Sequence, residues 1–447
     1  MLAPLNSTML AVALSPISEE FDISTGWTTW LIAAYLIVMA VGQPISGRMG
    51  DMYGRRRLFI WGLVYFAAAS ALAMVSWNFP SLVFFRVQQA IGAAMFMSNG
   101  IAALRSSLPQ ESRGRAFGLM GGIIAMSAGI GPPLGGVLVD GIGWRALFAV
   151  NLPVVLLALA LSLRYLPKDL PGRSRQPLDV LGAGALATGL LALMIAATSL
   201  GREGAGDPLF WSMTLVFCAS AAFFLWWEGH YSSPLISLAM FRRRSYAAGA
   251  STIFLSNMAM YALFIIVPLF VQDLKGDSPT RSGLVLISLA LFAILLSPLS
   301  GYVADRVGRN LPAVVGAVLL TLGAISITIW DTNSGMPYMV FSLGLFGVGL
   351  GVMQTPVQTA AIESCPPEMA GAASGTYATA RYLGAIVATG LVGAFLAGGD
   401  LTEISMFRNL TIVLAVAAGL TIVSTINIHR WIEAPGGAKK EVSRQVS

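Results

Sequence analysis

Long apolar runs separated by short polar or charged stretches fill this chain from end to end. Runs of about 18 to 25 apolar residues have the length a helix needs to cross the hydrocarbon core of a bilayer, whereas a strand barrel would alternate apolar and polar positions. The pattern predicts helices over 28–47, 58–78, 80–104, 116–139, 146–164, 178–200, 209–227, 247–272, 282–304, 312–330, 338–362, 372–397 and 408–430, with a shorter one near 2–18. That makes about fourteen transmembrane helices.

Composition agrees with this pattern. Of 447 residues, 11% are charged and 56% are hydrophobic, and the mean hydropathy is +0.75. Such a chain cannot cover the surface of several water-soluble domains, so the class is an all-α integral membrane protein whose first partner is the lipid bilayer. The 48 glycines lie largely inside apolar runs, where they allow helices to approach closely.

A net charge of +6 invites a nucleic-acid reading, but the basic residues are scattered through short loops and form no single patch, so no nucleic-acid partner is expected. Their placement reports orientation. Arg145, Arg202, Lys275, Arg281 and Arg408 fall on one side, Arg86 and Arg381 fall inside apolar runs, and the other Lys and Arg residues fall on the opposite side. This asymmetry predicts a multi-pass protein of the cell membrane with both termini cytoplasmic. Arg86 and Arg381 must face a protein interior or a watery cavity, because a charge at the centre of a spanning helix costs ~2.5–3.5 kcal/mol on insertion scales. Every Asp and Glu falls in a loop or at a helix end.

A nine-residue pattern, G-x-x-x-D-x-x-G-R, occurs twice, each time between two apolar runs. The first copy contains Gly47, Asp51, Gly54 and Arg55, followed by Arg56; the second contains Gly301, Asp305, Gly308 and Arg309. The copies imply two parallel repeats. In each, the glycines permit tight turns, and the aspartate can accept charge-assisted hydrogen bonds from helix-terminal amides or a nearby arginine. Such a cluster can latch one conformation, or it can be plain cytoplasmic anchoring.

On these residues the chain resembles a major facilitator superfamily transporter, specifically the fourteen-helix drug:proton antiporter (multidrug efflux) branch. Arg86-x-x-Gln89 resembles the branch's fourth-helix motif. Gly131-Pro132-x-x-Gly135-Gly136, with Gly118 upstream, is similar to its fifth-helix antiporter motif. Residues 5–14 resemble the first-helix motif, with Asn6 where that motif usually has aspartate; an amide cannot titrate near neutral pH. The resemblance implies a major facilitator fold of two six-helix bundles plus an inserted two-helix hairpin. The expected divisions are 1–166 (first bundle), 167–246 (linker with the two extra helices), 247–430 (second bundle) and 431–447 (cytoplasmic tail). From residue 247 to the second motif copy is 54 residues, whereas Met1 to Gly47 is 46, so the first helix reads as truncated.

The resemblance also implies secondary active export of small amphipathic compounds or drugs by alternating access, with protons as the coupling ion. Asn6, Arg86, Gln89, Tyr261, Gln354 and Arg381 are the candidate cavity or coupling residues, and Gly118, Gly131, Pro132, Gly135 and Gly136 are the candidate hinge of the fifth helix, or else a small-residue seal against a neighbouring helix. Met95, Phe96, Met258 and Met353 could line a cavity or face lipid. The tryptophans near helix ends, Trp77, Trp211, Trp226, Trp227 and Trp330, read as interfacial anchors. No nucleotide-binding loop, metal-ligand spacing or nucleophile elbow is present, so neither an enzyme nor a cofactor or metal site is expected. A facilitator or importer of a small solute, and a non-transporting membrane protein on the same fold, remain as alternatives.

Overall fold

The computed structural model describes residues 2–107, 123, 127, 129–166, 169, 178–231, 234–366, 369–397, 404–428, 431–433 and 439–441. Among the described residues, eleven helices are long and apolar enough to cross a membrane. They include Thr25–Tyr53, Arg55–Met74, Val180–Glu203, Pro208–His230, Arg244–Leu274 and Met336–Glu363. The segment expected near 2–18 runs on to Phe21 and is not one continuous α-helix: Leu2–Met9 passes through a 3-10 turn, Leu10–Ala13, into Leu14–Phe21. The segment expected at 80–104 lies within a helix over Phe79–Ser107. That expected at 116–139 lies partly outside the described residues; its far end is helical over 129–142. The tail holds a short antiparallel strand pair, Trp431–Glu433 with Lys439–Glu441.

Prolines and glycines shape several helices. Pro268 sits near the end of the Arg244–Leu269 helix and has no N–H to donate to the preceding turn. The ladder then widens into a π-helical turn over Phe270–Leu274. Gly54 and Gly308, the last glycines of the two loop motifs, have φ of 116° and 87°. L-residues other than glycine rarely adopt such values.

The chain divides into two compact units. The first comprises Met1–Leu235, Phe264–Leu284 and Thr389–Thr402; the second comprises Ile236–Leu263, Val285–Ala388 and Glu403–Ser447. In the first, a Cβ at Gly62 would lie 2.7 Å from the Phe96 nitrogen and one at Gly92 would lie 2.7 Å from the Phe66 nitrogen, so helices Arg55–Met74 and Phe79–Ser107 cross backbone on backbone. In the second unit, Gly316 and Gly349 make the same crossing between Asn310–Thr328 and Met336–Glu363, at 2.6 Å from the Met353 nitrogen and 2.1 Å from the Leu320 nitrogen. Small residues let membrane helices gain van der Waals contact where no hydrophobic force drives them together.

The hairpin of Val180–Glu203 and Pro208–His230 is asymmetric. Its second helix, Pro208–His230, buries little beyond Phe224 and Glu228, whereas Val180–Glu203 is built into the first unit. There a Cβ at Gly201 would lie 1.9 Å from the Ala394 carbonyl oxygen, and Trp30 Nε1 donates to Thr198 Oγ1 at 3.2 Å.

Trp330 corrects the sequence reading. Trp77, Trp211 and Trp226 are exposed, but Trp330 is fully buried. It stacks on Phe407 with ring centroids 6.1 Å apart and donates to Ser342 Oγ at 3.3 Å. Its position near a helix end marked an interface; its partner across the bundle made it core.

Candidate functional site

Arg86 and Gln89 lie one helical turn apart on Phe79–Ser107 and therefore share a face. Both are fully buried. Arg86 Nη1 donates to Asn6 Oδ1 and to Gln89 Oε1, and Nε donates to the Leu31 carbonyl at 3.4 Å. The guanidinium lies 4.5 Å from the centre of the Tyr35 ring and 5.9 Å from that of Phe148. Gln89 Nε2 passes the network on to Ser70 Oγ at 2.7 Å, and Ser70 donates to the Phe66 carbonyl at 2.8 Å. Nη2 of Arg86 is buried without a hydrogen-bond partner. Three of the four polar side chains are among the candidates; Ser70 is not, because one serine in an apolar run carries no signal of its own.

The first loop motif is tied on several sides. Arg55 Nε donates to Asp51 Oδ1 at 2.9 Å, and Arg55 Nη1 donates to the Ala102 carbonyl at 3.1 Å. The helix-terminal amides go elsewhere: N–H of Arg56 and of Arg57 donate to the two carboxylate oxygens of Asp169, at 3.0 and 3.2 Å. Arg48 Nη2 reaches the Pro234 carbonyl at 3.1 Å. Asn99, buried on Phe79–Ser107, donates from Nδ2 to the Ser46 carbonyl and hydroxyl, both at 3.1 Å. It sits so close that a Cβ at Gly50 would lie 1.6 Å from Asn99 Oδ1. Nothing in local spacing pointed to Asp169 or Asn99.

The second copy is wired differently. Arg309 is buried and forms a bidentate ion pair with Glu363, its Nη2 donating to Oε1 at 3.0 Å. Asn310 Nδ2 donates to the carbonyls of Thr425 and Ile428 at 3.1 and 2.9 Å. The equivalent arginines thus serve different ends, Arg55 within its own motif and Arg309 on a carboxylate two helices further along the chain.

The glycine-proline segment is closely packed against neighbouring backbone and side chains. A Cβ at Gly131 would lie 2.0 Å from Thr8 Oγ1, at Gly135 2.9 Å from the Met9 carbonyl oxygen, and at Gly136 2.5 Å from that of Pro279. Gly283 returns the contact, its Cβ position being 2.4 Å from the Pro132 carbonyl oxygen. Gly118 lies outside the described residues. Polar ties reinforce this end of the first unit. The Thr280 amide donates to Asp140 Oδ2 at 3.0 Å, Ser15 donates to Asp273 at 2.7 Å, and Gln272 Nε2 donates to the Val12 carbonyl at 3.2 Å. Trp144 Nε1 donates to Glu20 Oε2 at 2.7 Å, and Arg145 pairs with Glu20 at 2.7 Å.

In the second unit Arg381 is half-buried on Ala370–Ala397, and its Nε is buried without a hydrogen-bond partner. Tyr377, one turn before it, is fully buried. Tyr261 and Gln354 are half-buried on their helices. Met95, Phe96 and Met353 lie at the glycine crossings, so their positions are set by helix contact. Among the described residues no group of His, Cys, Asp or Glu is arranged to hold a metal ion.

The Major Facilitator Superfamily pattern matches residues 1–389. The chain is similar to the uncharacterized MFS-type transporter YwoD of Bacillus subtilis (strain 168), at 32% identity over 95% of this chain and 94% of the relative. It is similar to the tetracenomycin C resistance and export protein of Streptomyces glaucescens, at 30% over 89% of this chain and 74% of the relative. Riboflavin transporter RibZ of Clostridioides difficile (strain 630) is 24% identical over 97% of this chain and 92% of the relative.

Proposed function

Since the chain belongs to the Major Facilitator Superfamily, whose members are membrane transporters and not enzymes, we propose that it exports small amphipathic compounds by alternating access, as in the fourteen-helix drug:proton antiporter branch. The observation that carries the export reading is the similarity, over most of the chain, to a protein named for resistance and export. The tightly packed glycine-proline segment supports alternating access, because an end held shut by backbone contacts and a few polar ties is what one of two interconverting states requires. In this reading both termini are cytoplasmic, the protein sits in the cell membrane, and the sealed end of the first unit faces outward. Asp51 and Arg55 latch the loop motif of the first repeat, and Arg309 with Glu363 that of the second. Arg86, Gln89 and Asn6 line the transport path of the first unit; Tyr261, Gln354 and Arg381 do so in the second.

No nucleotide-binding loop is present in the sequence, so the driving force is assigned to an ion gradient, with protons as the coupling ion. The relative named as a riboflavin transporter favours a second reading, carriage of one defined solute. Flux into proteoliposomes of purified protein, with a proton gradient imposed in either sense, tests both. Uphill dye movement that reverses with the gradient supports the antiporter. Downhill flux indifferent to the gradient would replace it with a facilitator, and absence of any flux would remove transport of these compounds altogether.

A further inference from the structure

Arg86 carries a full positive charge in the interior of the first unit, and every partner it has among the described residues is neutral. Its acceptors are two amide oxygens, of Asn6 and Gln89, and one backbone carbonyl, of Leu31. The two aromatic faces beside it, Tyr35 and Phe148, are neutral as well. Among the described residues the carboxylates on spanning helices lie within about one turn of a helix end, and none bonds to Arg86. A guanidinium offers five N–H donors in a planar fork. Three are engaged by Nη1 and Nε, and the two on Nη2 are buried with no acceptor. The Asn6 side chain, whose oxygen is spent on Arg86, carries an Nδ2 amide donor beside that oxygen.

Buried charges in proteins are ordinarily paired, because neutral dipoles replace only part of the lost hydration. A cation arriving here would meet like charge and, among the described residues, no counter-ion. An anion would meet a charge-assisted double donor flanked by an amide N–H. We propose that the Arg86–Asn6 cluster is an anion-binding site, in which Nη2 and Asn6 Nδ2 take a single negative charge: the carboxylate of a transported amphipathic compound, or a small inorganic anion. The inference deepens the transport reading above and rests on it for the link to substrate. The aromatic rings of Tyr35 and Phe148 supply the apolar wall that an amphipathic anion needs. Asn6 sets the sign of the site, since a carboxylate in its place would satisfy Arg86 internally and remove the need for an external charge.

The test uses the full chain, first in detergent and then in proteoliposomes. Purified wild type, Arg86→Gln and Asn6→Asp are heated in a zwitterionic buffer with and without fluorescein, and with and without sodium chloride. Fluorescein or chloride should raise the unfolding temperature of the wild type and do so much less in both variants. Should Arg86→Gln fail to fold, Asn6→Asp alone carries the comparison. Fluxes of fluorescein, an uncharged fluorescein diether and tetramethylrhodamine methyl ester, a cation, are then compared. The ratio of anionic to cationic flux should fall about tenfold in Asn6→Asp, as expected when a charge-assisted contact is lost. A fluorescein effect without a chloride effect assigns the site to the transported compound; a chloride effect that also sets the uncharged dye's flux assigns it to an inorganic anion. Equal heat stability with and without both anions would overturn the proposal even if transport is robust. Anion stabilisation without flux of any dye would keep the site and overturn the transport reading instead.

Discussion

Replacing Gly349 by alanine should destabilise the second unit through one methyl group. The new Cβ would lie 2.1 Å from the Leu320 nitrogen, 2.5 Å from its Cα and 2.6 Å from the Gly316 carbonyl oxygen. All three are backbone atoms, so no side chain can swing aside, and helices Asn310–Thr328 and Met336–Glu363 must part by roughly 1 Å to restore ordinary contact. Overpacking costs about 1–3 kcal/mol, and the rigidity of the obstacle puts this case at the upper end. Alanine is better than glycine inside a helix by roughly 1 kcal/mol, which leaves a net loss of about 2 kcal/mol. Gly375→Ala is the matched control, since a Cβ there meets nothing within 4 Å, so only the helix-propensity gain remains. The assay is the thermal midpoint of the purified protein in detergent, read by tryptophan fluorescence. Gly349→Ala should melt several degrees below wild type and Gly375→Ala at or above it. If both variants shift in the same direction, the close-contact argument is wrong.

Three other outcomes are expected. Asp51→Asn should lower dye flux severalfold at matched abundance in the membrane, because Arg55 then loses its charged partner; unchanged flux would remove the latch role. Asp169→Asn should weaken the cap on Arg55–Met74 by about 0.5–2 kcal/mol, seen as faster hydrogen exchange at the amides of residues 56 and 57, and unaltered exchange there would refute the capping. The Ser199 hydroxyl, and then the Leu209 amide, hold the Asp207 carboxyl below the usual carboxylate range. A group lowered on folding stabilises above its unfolded value of about 4 and loses that contribution as pH falls through the depressed folded value. Acid titration of the thermal midpoint should therefore be flatter in Asp207→Asn than in wild type below about pH 4, and parallel curves would exclude the linkage.

Much of this architecture was legible in the chain because the bilayer imposes it locally. A spanning helix must satisfy its own backbone within one segment of fixed length, so each shows as one apolar run. The duplicated loop pattern exposed the repeat, and the same offset of 254 residues that separates Gly47 from Gly301 also separates Gly62 from Gly316. That second coincidence was available in the sequence, but glycines are too common here for one pair to stand out. Arg86 and Gln89 were readable as a unit because three residues is one turn of a helix.

What only the tertiary structure decided is which partner waits on the far side of each helix. Asn6 meets Arg86 from 80 residues away, and Asp169 reaches the amides of Arg56 and Arg57 from 113 and 112 residues away. Arg55 and Arg309 hold equal places in the repeat, yet one closes on its own motif and the other on Glu363. Trp330 read as an anchor and proved to be core. Helical periodicity reports that a face is buried or charged; it carries no information about the element opposite. In a membrane, moreover, apolar residues facing lipid and apolar residues facing protein are chemically alike, so hydrophobicity cannot separate the two surfaces, and side-chain packing and hydrogen bonds between distant segments make the choice.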